Sequence, residues 1–439
     1  MKGEVLGVDA SPFRLHTSYF VPFPHVRIRP MNMPPHPKLR LVQSQWIDRG
    51  DGQPALLLQD RLGLSGHAVV VPEALAPMLA LCDGTRNPAG IRTALELRTG
   101  LQLDLPTVEA ALAQLDNALL LDNERYTSAY RAVLEGYRTA PARSAALAGG
   151  SYPEDPAELS ALLDGFLAGI AGTDGHETGT KRLRGIVCPH IDYDRGGPTY
   201  ARLWDRVRGD LADADLFIIV GTDHSGGPAE VTLTRQSFQT PLGILRTDVD
   251  AVDAVATAVG EAAYASELNH LAEHSIELAA VWLHHLIGAR EARILPVLCG
   301  SFHPFTQRNG RPDDVRSWTA AASALREIAQ RERTLVIAAA DLSHVGPAFG
   351  DPEPMDPRKK AVLSTFDMEM LETVSRGDRE AFLDLLVRES DRYNVCGLPP
   401  IYLTLTMLGE VRGEVVDYAQ CPAPNRSVVS IAGMLLREV

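Results

Sequence analysis

At 439 residues with a formal net charge of -14, the chain has room for two or three domains, and it repels phosphate backbones and anionic lipid, which argues against nucleic-acid and membrane partners. A composition of 45% hydrophobic and 22% charged residues is that of a soluble globular protein, with no apolar run near the roughly 18 residues of a membrane span. Five scattered cysteines with no C-x-x-C pair argue against a disulfide framework or a structural zinc site.

The N-terminus lacks the apolar segment and small-residue cleavage site of a secretory signal, so a cytoplasmic protein is expected. Residues 1–44 form a proline-rich lead in which Pro22, Pro24, Pro30, Pro34, Pro35 and Pro37 forbid a helix, leaving an extended arm. Residues 45–135 read as a small module: a strand-like LLLQDRLGLSGHAVVV, then helical PEALAPMLALC, AGIRTALELRTG and PTVEAALAQLDNALLL. Helical spacing of Leu75, Met78 and Leu79, and of Val108, Ala111, Leu112 and Leu115, favours a packed core over a peptide groove. Ten acidic residues against five arginines over residues 51–130 argue against a DNA-binding module.

The Ala-, Arg- and Gly-rich YRTAPARSAALAGG reads as a linker opening the second domain, residues 136–439. There, short apolar runs (GIVCPH, DLFIIVGTDH, RILPVLCGSF, TLVIAAADLSH) alternate with helical stretches, which predicts an α/β fold: a layered, largely buried sheet flanked by helices. Three runs end in polar residues, at His190, at Asp223 and His224, and at Asp341 and His344. Ligands bind beyond the carboxyl ends of strands in such sheets, so these side chains should converge on one cleft.

Neutral imidazole is the commonest protein metal ligand, and Asp192, Asp194 and Asp223 are placed in sequence to support the rings. Cys396, before Gly397 and a proline pair that can open a helix, is the best third ligand, with its thiol pKa lowered by the helix start. Two imidazoles and one thiolate suit copper or ferrous iron and would also bind zinc. Glu273 and His274, at the start of the amphipathic HSIELAAVWLHHL helix, are candidates for a supporting or cleft-facing role, whereas His284 and His285 read as structural.

The ordered set CPHIDYDRGG, VGTDHSG, TPLGILRTD, EHSIELAAVWL, ILPVLCGSF, AADLSHVG, YNVCGLPPI and DYAQ…SVVSIAGMLL, with LAGGSYPEDPAELSALLDGFL ahead of it, resembles the Memo family over roughly two thirds of the chain. The resemblance implies a fold like class III extradiol dioxygenases, a pocket at His190, His224 and Cys396, and Asp341 and His344 completing it. It also implies a place in the AmmeMemoRadiSam system as its protein B, beside an Amme-type protein and a radical SAM protein. Residues 45–135 are similar to PqqD-like winged-helix modules, which implies a peptide or modified protein as substrate. Ile191 and Asp192 depart from the family's PHAGY, and Ser225 replaces a histidine of the animal proteins.

Two functions follow as expectations. One is a metal-dependent oxidoreductase in which His344 acts as acid and base and Asp341 orients it. The other is a non-catalytic metal- and peptide-binding component, favoured by thiolate in place of the carboxylate of the ferrous facial triad. A hydrolase is set aside because no G-x-S-x-G, P-loop or H-E-x-x-H occurs.

Overall fold

The computed structural model describes residues 34–48, 52–170, 181–226, 230–307 and 310–439. Most of the expected proline-rich arm, residues 1–33, lies outside the described residues. The chain divides into two compact units, one ending at Arg131 and one spanning Ala132–Val439.

In the first unit, β1 (Gln43–Asp48), β2 (Pro54–Gln59) and β3 (Ala68–Pro72) form an antiparallel sheet in that order. The short α1 (Ala76–Leu79) is followed by α2 (Pro88–Thr99) and α3 (Leu105–Asn117). Both longer helices start with a capping side chain before a proline: Asn87 accepts from Gly90 N at 2.8 Å and Asp104 from Thr107 N at 2.9 Å. The apolar stripes are core, with Met78, Leu79, Val108, Leu112 and Leu115 buried together with Leu58 and Ile91.

Helix α4 (Glu124–Thr139) follows as a further helix beyond PTVEAALAQLDNALLL, the last one expected in this module. Ala129, Val133 and Tyr137 are buried along it at i, i+4 and i+8, the helical stripe that carries it on.

The second unit runs α5 (Pro156–Ile170), β4 (Leu183–Cys188), α6 (Tyr193–Val207), β5 (Leu216–Thr222), β6 (Val231–Leu233), β7 (Phe238–Thr240) and β8 (Gly243–Thr247). It continues with α7 (Val249–Val259), α8 (His274–Ile287), β9 (Arg293–Cys299), α9 (His303–Gln307), α10 (Arg316–Ala329), β10 (Thr334–Ala339) and β11 (His344–Val345). Helices α11 (Pro357–Ser375), α12 (Arg379–Arg388) and α13 (Leu398–Leu408) precede β12 (Val411–Ala423) and β13 (Ser427–Glu438).

The strands form one mixed sheet in the order β11-β13-β4-β10-β5-β9-β8-β7, with β12 on β13 and β6 on β9. At its centre β4, β10, β5 and β9 are parallel. The period-2 alternation of a strand divides their side chains between two cores. Val187, Ile218, Val220, Val336 and Ala338 face one core with Trp318, Leu325, Ile401 and Leu405. Ile186, Phe217, Ile219, Leu335 and Ile337 face the other with Leu163, Tyr200, Trp204 and Trp282. Every residue of β4, β5 and β10 is buried, as expected of a sheet covered by helices on both faces.

The segment read as a linker carries a buried charge. Arg143 is fully buried and donates to His270 O, Glu273 O and the Glu277 carboxylate, its Nη1 lying 2.5 Å from Glu277 Oε2. Glu277 also accepts from the Tyr152 hydroxyl and from the backbone of Ala146 and Leu147. This network ties residues 143–152 to the start of α8, and removing one partner strands the other charge in the interior. Glu277→Ala should therefore destabilise the protein by about 3–5 kcal/mol. Urea unfolding followed by circular dichroism measures it, and an unchanged midpoint would show that the network carries no net stability.

Candidate metal centre

Strand β4 ends at Cys188, and Pro189, which has no N–H to give the ladder, sets His190 just beyond the sheet. The Asp341 carboxylate, beyond the neighbouring β10, accepts from His190 N at 2.7 Å and Ile191 N at 3.1 Å through the same oxygen. His190 Nδ1 lies 3.0 Å from Ala339 O. A carbonyl can only accept, so Nδ1 carries the proton and Nε2 presents a lone pair. Burial, then the neighbouring His224, pushes the His190 pKa down to about 3, so the ring is neutral.

His224 follows β5 and is held at both ends by one acid: Glu273 Oε2 accepts from His224 N and Oε1 from Nδ1, each at 2.9 Å. Glu273 is the N-cap of α8 and accepts from Ser275 N at 3.0 Å; its Oε1 also lies 3.1 Å from His274 Nδ1. The His224 and His274 rings stack with centroids 4.5 Å apart, and His190 stands edge-on to both, at 5.1 and 5.2 Å. Burial works against a charged His224, but Glu273 and Cys396 outweigh it and raise its pKa well above the usual value. Glu273 answers in kind: burial would raise its pKa, and the two imidazoles hold it well below the usual carboxylate range. His274 goes the other way, with burial lowering it to about 4.

Cys396 arrives from the other side, immediately before the Gly397 cap of α13. Gly397 N donates to Asp341 O at 3.0 Å, and a Cβ at this position would sit 2.2 Å from that same oxygen, so only glycine permits the approach. Thr222 Oγ1 donates to Cys396 O at 2.9 Å, and Ser275 Oγ to Thr222 O at 3.1 Å, linking the cysteine loop, the end of β5 and the start of α8. Cys396 Sγ lies 3.2 Å from His190 Nε2. Burial raises the thiol pKa despite the opposing pull of His224, contrary to the lowering expected from the helix start. Cys396 lies outside the first turn of α13, and desolvation decides the sign.

One ligand atom each from His190, His224 and Cys396 lies within 4.8 Å of the others. Nitrogen and sulfur ligands on one ion stand at most roughly 4.4 Å apart, so shifts of a few tenths of an ångström would close the set. Among the described residues a second such group is His224, Glu273 and His274. Both rings of the first set have the support that metal-binding histidines use, a carbonyl for His190 and a carboxylate for His224. The donor set thus fits a thiophilic or borderline transition metal.

The remaining candidates divide. Asp341 Oδ2 lies 3.8 Å from His190 Nε2, but Oδ1 is taken by backbone amides, and among the hydrogen bonds of the described residues Asp341 accepts none from His344. His344 instead places Nδ1 3.2 Å from Leu342 O; burial lowers its pKa, with the Asp341 charge opposing. Asp192 caps α6, accepting from Arg195 N at 3.1 Å, and pairs with the Arg195 side chain, while Asp194 is exposed in the first turn. Neither belongs to the two ligand groups. Asp223 is buried and anchors the turn after β5, accepting from Asn269 Nδ2 at 2.7 Å and Gly226 N at 3.0 Å. The sequence gives no signal for Thr222, a lone hydroxyl, for the bond that Ser275 makes to it, or for Arg143, which braces the Glu273 carbonyl at 2.9 Å from a segment read as linker.

A family model described as "Memo-like protein" matches residues 143–435. A MEMO1 family protein of Aquifex aeolicus is 25% identical over 404 residues, covering 91% of this chain and 99% of the relative. Similar proteins from Methanopyrus kandleri and Thermus thermophilus are 29% and 28% identical, covering 63% and 66% of this chain and 91% and 81% of their own.

The Glu273 arrangement has a direct spectroscopic consequence. Glu273→Gln removes the negative charge that favours imidazolium at His224, leaving burial, which disfavours it, to dominate. In the metal-free protein the His224 titration should move to lower pH, read by NMR of labelled histidine; an unmoved titration would contradict this electrostatic account.

Proposed function

Because the chain belongs to the Memo-like family, we propose that His190, His224 and Cys396 hold a redox-active transition metal, Fe(II) or copper, and that the pocket serves a metal-dependent oxidoreductase. The observation that carries this reading is the convergence of two correctly oriented imidazoles and one thiol within 4.8 Å. A bound ion supplies Lewis-acid and redox chemistry at positions the protein leaves open. The side chains do the rest. Glu273 fixes the proton on His224 Nδ1 and the carbonyl of Ala339 fixes it on His190 Nδ1, which turns both Nε2 atoms to the ligand role. His344, with Nδ1 on Leu342 O, keeps Nε2 available to take or give a proton. Asp341 serves chiefly by holding the His190 backbone in place.

The family resemblance further supports a role beside radical SAM and Amme-type partners on a peptide or protein substrate, with residues 45–135 as the recruiting module. Cys396 favours a second reading, since a thiol stands where ferrous oxygenases carry a carboxylate: the pocket chelates copper or iron without turnover. Oxygen consumption with a panel of catechols, run beside a copper titration, separates the two: turnover refutes the binder, and tight copper without turnover favours it.

The purified protein should hold one ion per chain, and His190→Ala and Cys396→Ala should each lose it; stoichiometric metal in both variants would refute the assignment. The ion must displace protons from the Cys396 thiol and the His224 imidazolium, so affinity should rise with pH. Titration calorimetry in buffers of different ionisation enthalpy reads the released protons, and no release would contradict the ligand set.

A further inference from the structure

The loop that delivers Cys396 has an unusual backbone. Ser390, Asp391 and Asn394, all just ahead of the cysteine, have φ of 51°, 46° and 50°, in the left-handed region that residues other than glycine seldom enter. Asn and Asp tolerate that region best, and backbone held there clusters at functional segments. Here it makes a tight turn: Asn394 N donates to Asp391 O at 3.0 Å, and Val395 N to Asp391 Oδ1 at 2.9 Å. Both backbone donors are thereby taken inside the loop.

Strand β11 stands at the end of the sheet order, and both backbone groups of His344 meet this loop. His344 N donates to Tyr393 O at 2.7 Å. The His344 carbonyl needs a donor in turn, which the backbone of Asn394 and Val395 can no longer give. The exposed side chain of Asn394 supplies it, with Nδ2 3.2 Å from His344 O. At the far end of the same run Gly397 N donates to Asp341 O at 3.0 Å, so Cys396 sits between ties to the Asp341–His344 segment on both sides.

We propose that Asn394 is a positioning residue of the metal centre, clamping the Cys396 loop to the Asp341–His344 segment so that the thiol and the His344 ring are held as one unit. This role rests on the reading of Cys396 as a ligand. Asn394 acts through backbone: its amide replaces a missing main-chain donor, and its tolerance of a left-handed φ lets the turn close two residues before the thiol. Groups that orient a ligand without binding the ion set metal affinity by roughly 10- to 100-fold.

Two variants of the full chain test this. Asn394→Gly keeps the left-handed φ and removes only the amide, and Asn394→Ala also strains the turn. Hydrogen exchange of the metal-free protein, read by mass spectrometry, is expected to quicken in both variants over residues 341–345 and 393–398, with buried β4 unchanged. Titration with Co(II), followed by the thiolate-to-cobalt charge-transfer absorption and with Cys396→Ala as the blank, is expected to show affinity about tenfold weaker or more in both. Wild-type exchange in those two segments, or wild-type Co(II) affinity, in both variants overturns the assignment. A wild-type protein without the charge-transfer band would refute Cys396 as a ligand, and exchange then decides the clamp by itself, with unchanged rates overturning it.

Discussion

Strands β4, β5 and β10 are buried on both faces, and that constraint decides where chemistry can sit. A polar group in the middle of such a strand would be stripped of water with nothing to bond, so polar side chains sit at the strand ends: Arg184 and Thr334 at the amino ends, and the candidate ligands at the carboxyl ends. His190, the Asp223–His224 pair and Asp341 all emerge there, at one edge of one layer. The close approach of Gly397 to Asp341 O then delivers Cys396 to the same place. The pocket is therefore a product of sheet topology first and of side-chain selection second.

Burial also governs the electrostatics. His190 and His274 are kept neutral by desolvation, and the Cys396 thiol is held in its protonated form. Glu273 is the exception: a buried carboxylate kept ionised by the imidazoles around it, especially His224. Without an ion the cluster stores protons on His224 and Cys396, and these are the protons a cation would replace. Two imidazoles sharing the Glu273 carboxylate also means that His274, read from the sequence as supporting or cleft-facing, sits within the same charge network.

Much of this was legible in the sequence because it rests on periodicity. Apolar runs of the right length predicted the buried strands, the stripe from Val108 to Leu115 predicted core, and strand-end polarity picked out His190, His224, Asp341 and His344. What escaped depends on tertiary approach. Asp192 and Asp194 lie beside His190 in the chain, yet α6 begins between them, and the first is spent as its cap. Gly196 and Gly197 lie inside α6, where Cβ atoms would strike Ile191 and Phe166. The direction of the Cys396 shift and the buried Arg143–Glu277 pair both depend on how much water the fold excludes, which no local pattern encodes.

The account stands on one ion touching all three side chains at once. X-ray absorption at the metal edge of the iron- or copper-loaded protein reads that directly. The expected spectrum has one sulfur scatterer at about 2.3 Å and two imidazole nitrogens at about 2.0–2.1 Å, by analogy with zinc–ligand distances. A first shell of oxygen and nitrogen without sulfur would contradict it.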